Sequence, residues 1–152
     1  MAEKREAFTL VEAVIIVMFV GILAVIAVPR LNFAVVSKHK ADTTARKIVT
    51  DFRRTRRLAI SDAANNTAGF ALNMIGSSPY TGYEIRNGDT LEVVDTHTFE
   101  SIIICTGDSI FRFAPLGNLQ SSGNTQLSVD AEGKTFTITI IPATGTVKCV
   151  EN

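Results

Sequence analysis

Residues Phe8–Val28 read FTLVEAVIIVMFVGILAVIAV, and from Ala13 to Val28 sixteen of them pass without one polar side chain. As a helix rising about 1.5 Å per residue, the whole run spans roughly 31 Å, close to the hydrocarbon thickness of a bilayer. Lys4 and Arg5 stand just before it. The positive-inside bias therefore leaves the short N-terminus in the cytoplasm and carries the C-terminal part across. Glu12 lies near the start of the run, where an unpaired carboxylate costs about 2–3 kcal/mol. Two readings stand side by side: Glu12 reaches back to the headgroups, or it waits for a cation supplied by a neighbour. A conventional secretory signal cut after Ala27, with Val25 and Ala27 as its small residues, is the competing assignment. It is disfavoured because its apolar region would exceed the usual length of about 7–15 residues and would hold Glu12.

Charge divides the remainder. The formal net charge of the 152 residues is zero. Residues 30–57 nevertheless carry nine Lys/Arg against Asp42 and Asp51, a surplus of seven. Residues 58–152 carry four Lys/Arg against ten Asp/Glu, a deficit of six. A basic stem is thus followed by an acidic head, with room for one modest domain beyond the anchor.

The spacing predicts a helix over 30–64. Ala41, Ala45, Ile48, Phe52, Thr55 and Ala59 recur at alternating intervals of four and three, which aligns them on one face for packing against a sheet. Arg46, Arg53 and Arg57 share another face, with Lys47, Arg54 and Arg56 beside it. Pro29 lacks an amide hydrogen and is expected to bend the helix where it leaves the bilayer. Asn65, Asn66 and Gly69 close the segment.

From Thr67 the pattern changes to short β runs, expected at 69–73, 82–86, 90–98, 102–105, 109–113, 126–129, 135–141 and 146–150. Arg86–Asp89 and Asp130–Lys134 are hairpin turn signals. Phe136, Ile138 and Ile140 alternate with Thr135, Thr137 and Thr139, as in a sheet with one wet face. The stretch 74–81, with Gly76, Ser77, Ser78 and Pro79, is expected as a loop.

The basic leader, Ala7, the sequence Phe8-Thr9-Leu10-Val11-Glu12 and Pro29 together resemble the class III signal of type IV prepilins and type II secretion pseudopilins. The resemblance implies cleavage by a prepilin peptidase between Ala7 and Phe8 and N-methylation of Phe8. It also implies filament assembly through Glu12, which pairs with the new amine of an adjacent subunit, and a helix kink at Pro29. One departure is Ala7, where the family usually has Gly. The C-terminal half resembles the GspH/FimT family of minor pseudopilins and pilins. The residues concerned are Ile110–Gly117, the Thr-rich hairpin, and Thr144-Gly145-Thr146-Val147-Lys148-Cys149.

The expected fold is therefore α+β and pilin-like: leader 1–7, membrane and filament-core helix 8–28, amphipathic stem 29–64 and a periplasmic antiparallel β head 65–152. The expected function is structural, as a minor pilin or pseudopilin of a bacterial inner membrane that joins or primes a type IV pilus or a type II secretion pseudopilus. Its implied partners are other pilin or pseudopilin subunits, the prepilin peptidase, the inner-membrane assembly platform and inner-membrane lipid. No cofactor, metal site or catalytic residue is expected. His39 and His97 stand in no metal spacing with Cys105 and Cys149, and neither a nucleophile motif nor a phosphate loop occurs. Cys105 and Cys149 are either buried thiols or, in a head outside the cytoplasm, a disulfide as pilin-like heads often carry.

A DNA-binding minor pilin of a competence pilus is the alternative function. Some FimT-like proteins bind DNA through Gly-Arg-x-Arg, but this chain reads Gly145-Thr146-Val147-Lys148. Thr146 brings no charge, and Lys148 lacks the planar fork of Arg. DNA binding is thus disfavoured. A head starting near Leu58 is expected to bind DNA negligibly, and one retaining Arg46–Arg57 only weakly and nonspecifically. The basic stem reads either as a patch for DNA or anionic lipid headgroups or, as is favoured, as a solvated or filament-lining helix face paired with the acidic head of a neighbour.

Overall fold

The computed structural model describes residues 9–27, 33–120 and 125–152. Ala7, Phe8 and Pro29, the expected cleavage, methylation and kink positions, lie outside them. The chain divides into two units, the first ending at Phe33 and the second running Ala34–Asn152.

In the first unit, helix α1 (Leu10–Ala27) is apolar on every side, interrupted only by Glu12 and Gly21. Its 18 residues cover about 27 Å, just under the roughly 30 Å of a hydrocarbon core. Taken by the described residues alone, no helix is long and apolar enough to cross a membrane. Phe8 and Val28, which complete the run read from the sequence, fall outside those residues.

The second unit begins on α2 (Phe33–Ser61). The six-residue stripe expected to face a sheet does so: Ala41, Ala45, Ile48, Phe52, Thr55 and Ala59 are all fully buried. Thr55 is tolerated there because its hydroxyl donates to the Asp51 carbonyl at 2.7 Å. Past the helix, Asn65 and Asn66 donate their backbone N–H groups to the Asp62 carbonyl. The Asn66 side chain then holds the Gly69 carbonyl at 2.7 Å.

Eight strands follow: β1 (Phe70–Ile75), β2 (Gly82–Asn87), β3 (Val93–Thr98), β4 (Ile104–Gly107), β5 (Ile110–Phe113), β6 (Gln126–Ala131), β7 (Lys134–Ile141) and β8 (Thr146–Glu151). They form two four-stranded sheets, ordered β3-β2-β1-β5 and β4-β6-β7-β8, where the sequence reading anticipated one. The division falls between β4 and β5. These strands follow each other directly, but β5 pairs with β1 and β4 with β6, all antiparallel. The fold is α+β, with two helices and two antiparallel sheets. In β7, Phe136, Ile138 and Ile140 are buried and the threonines between them are half-buried, as the alternation required.

Two turns explain where strand boundaries moved. Residues 90–92 were expected in a strand, yet Leu91 is held at φ 60° and donates to the Asn87 carbonyl. Asn87 Oδ1 also accepts the N–H groups of Asp89 and Thr90, so the turn consumes the start of the expected strand. Between β6 and β7, Glu132 and Gly133 take φ 51° and 72°, the doubly left-handed geometry of a two-residue hairpin.

The core lies where α2 meets both sheets. Phe52 stands edge-on to Phe111, with ring centroids 4.9 Å apart, and contacts Phe113 at 6.4 Å. A head beginning at Leu58 would therefore lose a whole layer of its core, Phe52 included. Such a fragment is not a fair test of DNA binding.

Candidate functional site

Three places carry the residues singled out from the sequence. At the start of α1, Thr9 Oγ1 accepts the backbone N–H of Glu12 at 3.3 Å. The Thr9 carbonyl accepts that of Ala13 at 3.2 Å. Thr9 is thus the N-cap, and Thr9-Leu10-Val11-Glu12 has the spacing of a capping box. That signal was present in the sequence and missed there. It gives the Thr and the Glu a local reason to stand three residues apart, and the Glu12 carboxylate complements the positive end of the helix dipole. Glu12 is exposed.

At the far end of α2 the two halves of the C-terminal signature come together. Gly117 ends the run Ile110–Gly117, and Gly145 opens the turn before β8. A Cβ placed on Gly145 would lie 2.0 Å from the Gly117 carbonyl oxygen, so no side chain fits there. Both glycines also have positive φ, at 80° and 63°. Arg56 locks the junction by donating from Nε to that same Gly117 carbonyl at 3.0 Å. Arg53, Arg56, Arg57 and Ile60 then border a cleft of about 340 Å³ whose other wall is Gly145, Thr146 and Val147. The sequence separated these arginines from the Gly145 turn by almost ninety positions.

Other cations of α2 meet the chain's own head, where the sequence reading looked to a neighbour's. Lys40 pairs with Glu100 at 2.6 Å, and Arg54 pairs with Asp95. The hydrogen bond from Arg54 holds the Asp95 carboxyl below its ordinary range. Both pairs are exposed and contribute about 0–1 kcal/mol each. Arg46 is occupied by Asp42 within the helix at 2.9 Å. Among the described residues, Arg53 and Arg57 have no ion-pair partner.

The disulfide expected between Cys105 and Cys149 is corrected by the sheet order. Both thiols are free, Cys105 buried and Cys149 exposed. They sit on β4 and β8, the two outer strands of one sheet, with β6 and β7 between them. Three strand spacings separate them by about 14 Å, and Cys149 is displaced a further two residues, about 7 Å, along the strand. A disulfide needs Cα atoms within about 7 Å. Burial pushes the Cys105 thiol up to about 12. The Cys149 thiol is also raised, first by burial, while Arg46 pulls it back.

One buried polar group escaped the sequence reading. Asp51, counted there as a stem charge, is buried and accepts Lys47 Nζ at 3.0 Å and the Tyr83 hydroxyl. Burial and that hydrogen bond to Asp51 raise the Tyr83 phenol well above its usual value. The partners lie on one helix and one strand and serve to fix α2 on β2. His97 lies on β3, its ring 5.3 Å from that of Tyr83, and His39 is exposed on α2. Among the described residues no group of three or more His, Cys, Asp or Glu is placed to hold a metal ion.

Comparison with protein-family models, with curated proteins and with solved structures returns no match for the chain.

Proposed function

We propose that this protein is a membrane-stored structural subunit of the type IV pilin and type II pseudopilin kind, a minor pilin or pseudopilin. The observation that carries the reading is α1. Twelve of its large apolar side chains are exposed, from Leu10 at 81% to Val25 at 74%. A helix apolar on all sides belongs in lipid or among other helices. Covering each side chain fully is worth about 1.5–3 kcal/mol, so covering what is exposed here amounts to on the order of 10–20 kcal/mol. The cost of taking Glu12 along, about 2–3 kcal/mol, is several-fold smaller. In this reading the membrane stores the subunit, and the same helix face later packs against neighbouring helices in an open-ended, heterologous assembly. Glu12 then pairs with the amine of Phe8 on the next subunit.

The reading is tested by Glu12→Ala in cells that make the full chain. Membrane insertion and a mature N-terminus at methylated Phe8 are expected to be unchanged, since losing the carboxylate eases transfer into lipid. Recovery in sheared filaments is expected to fall at least about tenfold, the equivalent of 1.4 kcal/mol. Wild-type recovery, or a mature terminus at Val28, would overturn it.

A second reading, an anion-binding head of the DNA-receptor kind, is favoured by Arg53, Arg56 and Arg57 beside the Gly145–Val147 turn. It ranks lower because the head beyond Arg57 is acidic.

A further inference from the structure

We propose that the cleft at the Gly117–Gly145 junction binds a phosphate monoester, gripped by Arg53, Arg56 and Arg57 from α2 and by Thr146 from the facing turn. This is the cleft that favours the second reading above, with a compact dianion in place of a polyanion, and it does not depend on how α1 is used.

Among the described residues the cleft is lined by three cations and no carboxylate. Elsewhere on α2, Lys40, Arg46, Lys47 and Arg54 each pair with a carboxylate, but no described acid pairs with Arg53, Arg56 or Arg57. Arg56 and Arg57 follow Arg53 by one helical turn and so share its face, where like charges repel. An anion seated among them relieves that repulsion. Arg56 is the fixed member. It is half-buried, and its Nε donates to the Gly117 carbonyl at 3.0 Å. That bond leaves both Nη groups of the guanidinium fork without a partner among the described residues. A fork held in place before the ligand arrives lowers the entropic cost of binding. The same carbonyl fixes the opposite wall, because Gly145 packs directly on it. On that wall Thr146 Oγ1 accepts from Thr144 Oγ1 at 2.8 Å, so its own O–H is left to donate to an anion.

The donor set selects the ligand. Three guanidiniums and a hydroxyl, facing one cleft from two walls, suit a phosphate, whose oxygens accept in several directions. A carboxylate offers only two oxygens in one plane. A phosphate monoester carries close to two negative charges at neutral pH, against one for a diester. At about 340 Å³ the cleft has room for the phosphate and a short organic stem, with Ile60 and Val147 as apolar contacts for the stem. The surrounding field disfavours a long polyanion. Residues 58–152 carry four Lys/Arg against ten Asp/Glu, and repulsion from them grows with every phosphate that lies outside the cleft. A single dianion sits wholly inside it.

Full-length protein in mild non-ionic detergent is titrated calorimetrically at pH 7.5 and low salt with glycerol 3-phosphate, with dimethyl phosphate as a diester and with succinate as a dicarboxylate. Glycerol 3-phosphate is expected to saturate one site per chain, at least about tenfold tighter than the other two. Arg53→Gln with Arg57→Gln should weaken it at least about tenfold. The thermal midpoint of the ligand-free chain should not fall, since both side chains are exposed and in no ion pair. Arg56→Lys, which keeps the charge and loses the fork, should weaken binding to a similar degree. No saturable binding, equal affinities for the three probes, or wild-type affinity in the double glutamine variant would each overturn the proposal. Dihexanoyl phosphatidic acid identifies the source of the phosphate. Tighter binding than glycerol 3-phosphate, lost in the double variant, assigns a lipid headgroup, and equal or weaker binding assigns a soluble phosphate compound. Gel shifts of duplex DNA separate this inference from the second reading. A weak shift that glycerol 3-phosphate displaces is expected. Monoester binding without any shift would refute the second reading alone, and a shift without monoester binding would refute this one alone.

Discussion

The two thiols give the most direct test of the sheet order. Cys105 is buried, and its thiol is raised from 9.0 to about 12. Three pH units lower the thiolate population about a thousandfold at any pH below both values, and the thiolate is the reacting species. Burial of the sulfur slows Cys105 further, because a maleimide must wait for an opening of the core. Cys149 is exposed, with a smaller upward shift. With dilute full-length protein in mild detergent at pH 7.5, maleimide is therefore expected to add once, at Cys149, well before it reaches Cys105. In denaturant without reductant it should add twice. Intact mass and peptide mapping read both results. A chain that takes no label in denaturant and weighs two hydrogens less carries the disulfide. That result would refute the β4-β6-β7-β8 order, since no small adjustment brings strands about 14 Å apart to bonding distance.

Two further outcomes are expected. Phe52→Ala removes a fully buried ring that touches Phe111 and Phe113 and should cost about 3–5 kcal/mol in thermal or denaturant unfolding of the head. A loss under about 1 kcal/mol would show that α2 does not seal the core. For the anion-binding reading, wild-type and Arg53→Glu/Arg57→Glu full-length chains are compared in gel shifts of duplex DNA across a salt series. Weak wild-type binding, lost in the variant and by about 200 mM salt, is expected. Micromolar binding that instead depends on Lys148 would put the DNA-receptor reading first.

Much of the architecture was legible along the chain because it rests on local rules. The stripe from Ala41 to Ala59 follows from helical periodicity, and all six positions are buried. All eight β runs recur as strands, since alternation and turn residues are local signals. Their boundaries shifted where side chains captured backbone, as Asn87 does at residues 89 and 90. The apolar run, its single carboxylate and the Thr9–Glu12 spacing were equally plain, although the capping bond was overlooked.

What the sequence could not decide was everything that depends on which strand lies beside which. Strand ends look alike in one dimension, so Cys105 and Cys149 seemed able to meet until the sheet order put two strands between them. The same ordering produced two sheets instead of one, with β3 and β5 at the edges of the first and β4 and β8 at those of the second. It also brought Arg56 onto the Gly117–Gly145 junction and buried Asp51 against Tyr83. Each of these contacts joins residues thirty or more positions apart. Helix and strand periodicity fix which face a residue takes, but only the packing of α2 across both sheets fixes which distant residue it meets there.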